Sequence, residues 1–192
     1  YTKSYTAVQG EAVAKLMLAC GASINMNYSA DGSGSHLNKA MKALKDNFGY
    51  SKDIEYYDST GDYDPEGLIE YDWGFTIREN HKKGYPVMYA GSPASGKSGH
   101  AFVIDGYKVI DGLYYYHVNW GWSGYCNGYY LILNLKPDGE NYAGYGCDMV
   151  VNIHPVDWTA DVEDVVVPQL DNKIYNLLGV EVDENYKGIV IK

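Results

Sequence analysis

The sequence is poor in cysteine, in basic clusters and in long apolar runs, and each shortage removes a class of protein. Its three cysteines, Cys20, Cys126 and Cys147, lie far apart with no C-x-x-C spacing. That pattern argues against a disulfide framework and against a zinc site, and leaves room for one disulfide at most. The formal charge is -10, from 15 Lys and Arg against 25 Asp and Glu. A phosphate backbone would be repelled over most of such a surface, so nucleic acid is not an expected partner. No segment reaches the roughly 18 consecutive apolar residues of a membrane span, and Tyr1-Thr2-Lys3-Ser4 does not open a signal peptide. An export signal, if the parent protein has one, is expected outside this chain.

Tyrosine and glycine, by contrast, are abundant, at 21 and 22 of 192 residues, with 46% hydrophobic and 21% charged residues. This composition predicts a globular, β-rich chain with many turns and one sizeable core. Val8, Ala12, Val13, Leu16, Met17 and Cys20 recur at near-helical spacing, with Gly21 as the expected stop. Ser35 is placed to cap a second helix with the stripe Leu37, Met41, Leu44 and Phe48, ended by Gly49. A third helix is expected over 71–83, with Trp73 and Ile77 inward and Gly84 as its stop. From Tyr85 onward the period changes to short β-branched and aromatic runs, YPVMYA, HAFVIDGY, LYYYHVNW, GYYLILNL and DMVVNIH, separated by Gly, Asp and Asn. Helices first and strands afterwards read as α+β, the strands forming an antiparallel sheet or partial barrel. The main domain is expected over 1–155. Residues 156–192 read as a linker plus a short β segment of two or three strands, with a turn at 183–185.

Residues 91–98 spell G-x-x-x-x-G-K-S, the spacing of a phosphate-cradling P-loop. Such a loop needs a following helix whose N-terminal amides face the phosphates, whereas Gly99-His100 leads straight into a β-branched run. The segment is therefore read as a flexible Gly/Ser/Pro loop without nucleotide chemistry. The acidic stretch 58–67 does not follow an EF-hand register and reads as a solvated loop. Neither a metal nor a cofactor is expected.

The five histidines have no metal-site spacing. His36 and His81 fall on helical stretches expected to be solvated, His154 stands at a strand end, and His117 alternates within an aromatic strand. His100 differs, because it opens a strand directly after a glycine-rich loop, where a ring can stand at a cleft mouth on a rigid support. Nineteen residues later Asn119 and Trp120, then Trp122, precede another turn and strand. The Asn119 amide or the Trp120 indole on the neighbouring strand could fix the imidazole tautomer and shield it from water.

GHAFVIDGY followed by YYHVNWGWSGYCNGYYLI resembles the histidine half of papain-fold cysteine peptidases, most closely the streptopain family of secreted bacterial peptidases. The stretches AVAKLMLACGASINMNY, SADGSGS and MKALKDNFGY are similar to that family in order and spacing, so the resemblance spans roughly residues 5 to 155. It implies that His100 is the general acid/base, that Asn119 or Trp120 orients it, and that Trp122 walls the site. It also implies that Gly99 and the loop Ser33, Gly34, Ser35 line the groove of an extended peptide substrate. The family favours a bulky apolar side chain one residue before the position at the scissile bond, which implies an apolar subsite.

The family's nucleophile belongs to a Gly-Cys segment that is not found among these residues. Cys20, ending an amphipathic helix, is expected to be a buried structural thiol; Cys126, in a turn, and Cys147, following a Gly/Tyr turn into a strand, are also expected to be structural. The chain is then expected to work with an N-terminal chain carrying the cysteine, cleaved from the same zymogen precursor or belonging to the same longer protein, and to be inactive alone. The alternatives are a catalytically inactive relative, or a secreted aromatic-rich module binding carbohydrate or protein.

Overall fold

Thr6 begins the first helix. Its hydroxyl accepts the Gln9 N–H (3.3 Å) and the Gln9 side chain accepts the Thr6 N–H (2.9 Å), a reciprocal cap that starts α1 (Ala7–Ser23). The computed structural model describes residues 5–59, 68–95, 99–143 and 145–156, with the backbone of 174–176, 181–182 and 190–191. Gly21 does not end α1 as expected but lies buried inside it. A Cβ there would run into the Tyr28 hydroxyl, so the position is small for packing, and the left-handed turn falls at Asn25 (φ 51°). The inward stripe expected of α1 is also overturned. Val8, Val13, Leu16, Met17 and Leu18 each keep more than half of their surface exposed, and Cys20 is an exposed thiol rather than a buried one.

The segment expected as plain loop holds a small antiparallel hairpin, β1 (Asn27–Ser29) and β2 (Gly32–Gly34), closed by Ser29 Oγ donating to the Gly32 carbonyl (2.6 Å). The next helix, α2 (Leu37–Asn47), has His36 rather than Ser35 at its N-cap and no side-chain cap bond. Ser35 Oγ instead donates to the Ile24 carbonyl (2.7 Å), tying the hairpin exit back to the end of α1. Gly49 (φ 69°) ends the α2 region as expected.

A sheet of six strands carries the fold. β3 (Glu55–Asp58), β4 (Val87–Ser92), β5 (His100–Ile110), β6 (Leu113–Asn119), β7 (Gly128–Tyr130) and β8 (Tyr145–Val151) lie in the spatial order β3-β8-β4-β5-β6-β7, every neighbour antiparallel. β3 is absent from the sequence expectations, and the run expected over 128–135 leaves the ladder early because Asn134 N–H folds back onto the Leu131 carbonyl (2.9 Å). Alternation sorts the faces. Val87, Tyr89, Phe102, Ile104, Tyr116, Val118, Met149 and Val151 point to one side, where they meet Ile77 of α3 (Leu68–Lys82), Trp120, Ile132 and Leu135. Val150 points to the other, against Leu37 of α2, Ile54 and Ile153. Each fully buried aliphatic side chain among them contributes about 1.5–3 kcal/mol of transfer free energy.

α3 begins before the expected boundary, and Gly84 (φ 76°) follows its end as expected. His81, expected to be solvated, is half-buried. Its Nδ1 donates to the Tyr85 carbonyl (3.0 Å), its ring stacks on Tyr107, and its Nε2 is buried without a partner among the described residues. Burial pulls its pKa below the ordinary 6.5, against smaller upward effects of the Tyr85 carbonyl and the Asp105 carboxylate. With the folded pKa depressed, the unfolded chain binds more protons below pH 6.5, so this contribution to stability is present above pH 6.5 and is lost as pH falls through the folded value. Denaturation midpoints measured from pH 7.5 down to 5 are expected to fall more steeply for the wild type than for His81→Gln; parallel curves would contradict the assignment.

The chain divides into two units, Tyr1–Trp158 and Thr159–Lys192. In the second, β9 (Ile174–Asn176) lies between β10 (Glu181–Val182) and β11 (Val190–Ile191), both antiparallel to it. The turn expected at 183–185 lies outside the described residues, as do Lys97 and residues 60–67 of the acidic loop.

Candidate active site

β4 and β5 meet at Gly91 opposite His100. This end of the hairpin is tight. A Cβ on Gly99 would come within 2.6 Å of Ser92 Oγ and 3.0 Å of the Gly91 carbonyl, and one on Gly91 would run into the Tyr142 carbonyl. Two glycines thus let three segments converge where the histidine stands. Because His100 is two residues from Phe102, its ring lies on the aromatic face of the sheet, half-buried, 6.2 Å from the Phe102 ring.

His100 Nε2 donates to the backbone carbonyl of Trp120 at 2.7 Å. A carbonyl can only accept, so Nε2 carries the proton, and in the neutral ring Nδ1 presents a lone pair. Nδ1 has no hydrogen-bond partner among the described residues. The imidazole is tilted against Trp122 at 4.7 Å between centroids, stacks near Trp120 at 6.2 Å and meets Tyr142 edge-on at 6.0 Å. Three aromatic rings therefore limit its rotation and the access of water to one side.

Strand parity puts the two residues expected to hold the histidine on opposite faces. Val118 and Trp120 share the face of His100, which turns Asn119 away. The Asn119 Oδ1 accepts the Gly121 N–H (3.1 Å) and shapes the turn beyond β6. It makes no hydrogen bond to His100 among the described residues. Trp120 does reach the ring, through its carbonyl rather than its indole edge, and its side chain is fully buried against Phe102, Trp122, Tyr130 and Tyr142.

Two further residues support this arrangement and went unread in the sequence. Asn127 Oδ1 accepts the Trp120 N–H (3.0 Å), anchoring the residue whose carbonyl holds the histidine from its N-terminal side. Asn-Gly reads as a turn, and its cross-loop bond has no separate signal. Tyr142 arrives from the long connection after β7, its N–H bonded to the Leu135 carbonyl (2.9 Å), and only its place among glycines hints at a special role. Ser33, Gly34 and Ser35 lie in and after the β1–β2 hairpin; Gly34 and Ser35 line a cleft with Asn25, Met26, Asn27 and Lys39 that does not include His100. No hydrogen bond or ring contact joins that hairpin to His100 among the described residues.

None of the three cysteines bonds to the imidazole. Cys20 is exposed on α1. Cys126 Sγ donates to the Pro137 carbonyl (3.2 Å) from a left-handed residue (φ 57°). The Cys147 thiol lies against Tyr89, and burial pushes its pKa up, the opposite of what a thiolate nucleophile needs. His117 pairs with Asp105, displaced by a bulge in β5, and packs edge-on against Tyr129; His154 stacks on Tyr85, and His36 is exposed. No group of three His, Cys, Asp or Glu among the described residues is placed to hold a metal ion.

The geometry can be set beside known proteins. The Peptidase C10 family matches residues 1–130. Streptopain of Streptococcus pyogenes serotype M1 is 34% identical over 144 residues, 75% of this chain and 33% of the relative. The thiol protease/hemagglutinin PrtT of Porphyromonas gingivalis is 34% identical over 151 residues, 76% of this chain and 16% of the relative. The structure of the active wild-type Prevotella intermedia interpain A cysteine protease superposes with a TM-score of 0.66 at 34% identity, covering 78% of this chain and 59% of that one. The chain thus spans a third or less of these two curated relatives, and the α+β, papain-like fold expected from the sequence is the one observed. With two thirds of its residues inside the family match and the histidine hairpin in the same stretch, the chain belongs to the Peptidase C10 family.

Proposed function

We propose that this chain is the histidine-bearing part of a cysteine endopeptidase that cleaves peptides or proteins outside the cell. One observation carries the reading: a half-buried imidazole whose Nε2 is tied to the Trp120 carbonyl while Nδ1 has no partner among the described residues and can serve as base. In this mechanism Nδ1 takes the proton of a cysteine thiol, giving a thiolate–imidazolium pair. The thiolate attacks the scissile carbonyl carbon. The imidazolium returns its proton to the leaving amine as the C–N bond breaks, and Nδ1 then deprotonates the water that frees the acyl group. Trp120 positions the ring, Trp122 walls it, and Gly99 keeps the cleft mouth open, while the Ser33–Gly34–Ser35 segment borders the groove farther out. Asn119 acts through the turn that follows Trp120.

The thiol comes from an N-terminal chain or segment carrying a Gly-Cys sequence, derived from the same precursor. α1 supports this partner. Its exposed apolar residues project on several sides, the pattern of a helix meant for an interior, which supports a further part of the protein covering it. The test is reconstitution. The 192 residues alone are expected to leave a fluorogenic peptide uncut, and adding the Gly-Cys chain of the same precursor restores turnover. Hydrolysis by the 192 residues alone, abolished by Cys20→Ala, Cys126→Ala or Cys147→Ala, would refute the proposal.

A further inference from the structure

The loop after β6 displays one ring that the proposed chemistry leaves unused. Tyr125 is 65% exposed, its ring 6.4 Å from that of Trp122, which also packs against the His100 imidazole. The loop is built to hold it there. Gly121, Ser123, Gly124 and Cys126 all take left-handed backbone conformations (φ 77°, 54°, 90° and 57°), two of them at a cost for non-glycine residues. The Tyr125 N–H donates to the Trp122 carbonyl (2.9 Å), the Asn127 N–H to the Gly124 carbonyl (3.2 Å), and the Tyr130 hydroxyl to the Cys126 carbonyl (2.6 Å). A large aromatic held outward on so constrained a loop, next to the ring that walls the acid/base, is a contact surface rather than core packing.

We infer that Tyr125 is a specificity-determining residue of this peptidase, receiving an apolar or aromatic side chain on the leaving-group side of the scissile bond. The side follows from the chemistry of His100, on which the inference rests. The imidazolium must reach the leaving nitrogen, so the amine half of the substrate lies against His100, and the surface continuing outward through Trp122 meets the residues after that nitrogen. In an extended peptide, residues on one face recur about every 6.6 Å. The 6.4 Å from Trp122 to Tyr125 matches that step, which puts Tyr125 beyond the first leaving-group residue.

The test uses the assembled, cysteine-containing peptidase with substrates sharing one acyl half. Phe is placed in turn at the first, second and third positions after the bond in a glycine background, beside an all-glycine peptide and the methyl ester of the same acyl half. In Tyr125→Ala, kcat/KM for the peptide with Phe at the second or third position is expected to fall about tenfold, with the ester and all-glycine peptide within twofold of wild type. Tyr125→Phe retains the preference. An equal fall on every substrate, or no change on any, would overturn the inference while leaving the peptidase reading intact. A wild-type enzyme that turns over neither ester nor peptide would overturn the reading itself.

Discussion

Replacing His100 with alanine is expected to lower kcat/KM of the reconstituted peptidase about 10,000-fold, with little change in folding stability. The two effects separate because the side chain is half-buried and, among the described residues, makes one hydrogen bond, to the Trp120 carbonyl. Its loss costs on the order of 1 kcal/mol of stability. Activity, however, loses both the base that ionises the thiol and the acid that protonates the leaving amine, which act as one unit. Two measurements check this. Thermal melts of wild type and variant should nearly coincide, and alkylation of the partner's cysteine by iodoacetamide at pH 6 should slow in the variant, because the thiolate no longer has an imidazolium beside it. A variant retaining more than a tenth of wild-type activity would remove His100 from the chemistry.

Trp120→Ala should do the reverse and act on the fold first. The indole is fully buried and touches four other aromatic rings. Large-to-small changes of this kind cost about 3–5 kcal/mol, a substantial part of the roughly 5–15 kcal/mol that holds a domain together. The midpoint of urea unfolding should drop sharply at unchanged slope, and activity should fall with it as the carbonyl holding His100 loses its backing. Trp120→Phe should be far milder. The indole Nε1 is buried with no hydrogen-bond partner among the described residues, so phenylalanine removes a donor that gains nothing from burial. Equal losses for the two variants would show that the ring volume is not what matters.

The sheet was legible because its signal is local. Alternating Val, Ile, Tyr and Phe bounded by Gly and Asp mark β4, β5, β6 and β8, and a histidine at the first residue of β5 has to stand at its end. The orienting contact was legible only in part. The Asn-Trp pair suggested a side chain, whereas a backbone carbonyl holds the ring, and a carbonyl belongs to every residue and so leaves no trace in composition. Counting from the turn, where Ile110 pairs with Leu113, would put Asn119 in phase with His100; the bulge between Ile104 and Gly106 reverses that parity and turns Asn119 away, and the sequence does not announce it. α1 misled in another way. Val8, Val13, Leu16 and Met17 fit helical spacing, but Leu18 and the rest of the apolar residues fill the other sides, and a stripe looks the same in a window whether or not the opposite face is polar. Serine and glycine hid β1 and β2, because short edge hairpins need no hydrophobic pattern. Gly21 shows that glycine can record a neighbour's hydroxyl as readily as a helix end.

The bond between His100 and Trp120 spans only 20 positions of sequence, within one hairpin and its following turn. Contacts of such short separation close quickly in a folding chain, within microseconds for a hairpin. The imidazole can therefore be set in its tautomer by β5, β6 and the turn that follows before the rest of the molecule has packed, so in the proposed peptidase the general base would be inherited from this one hairpin.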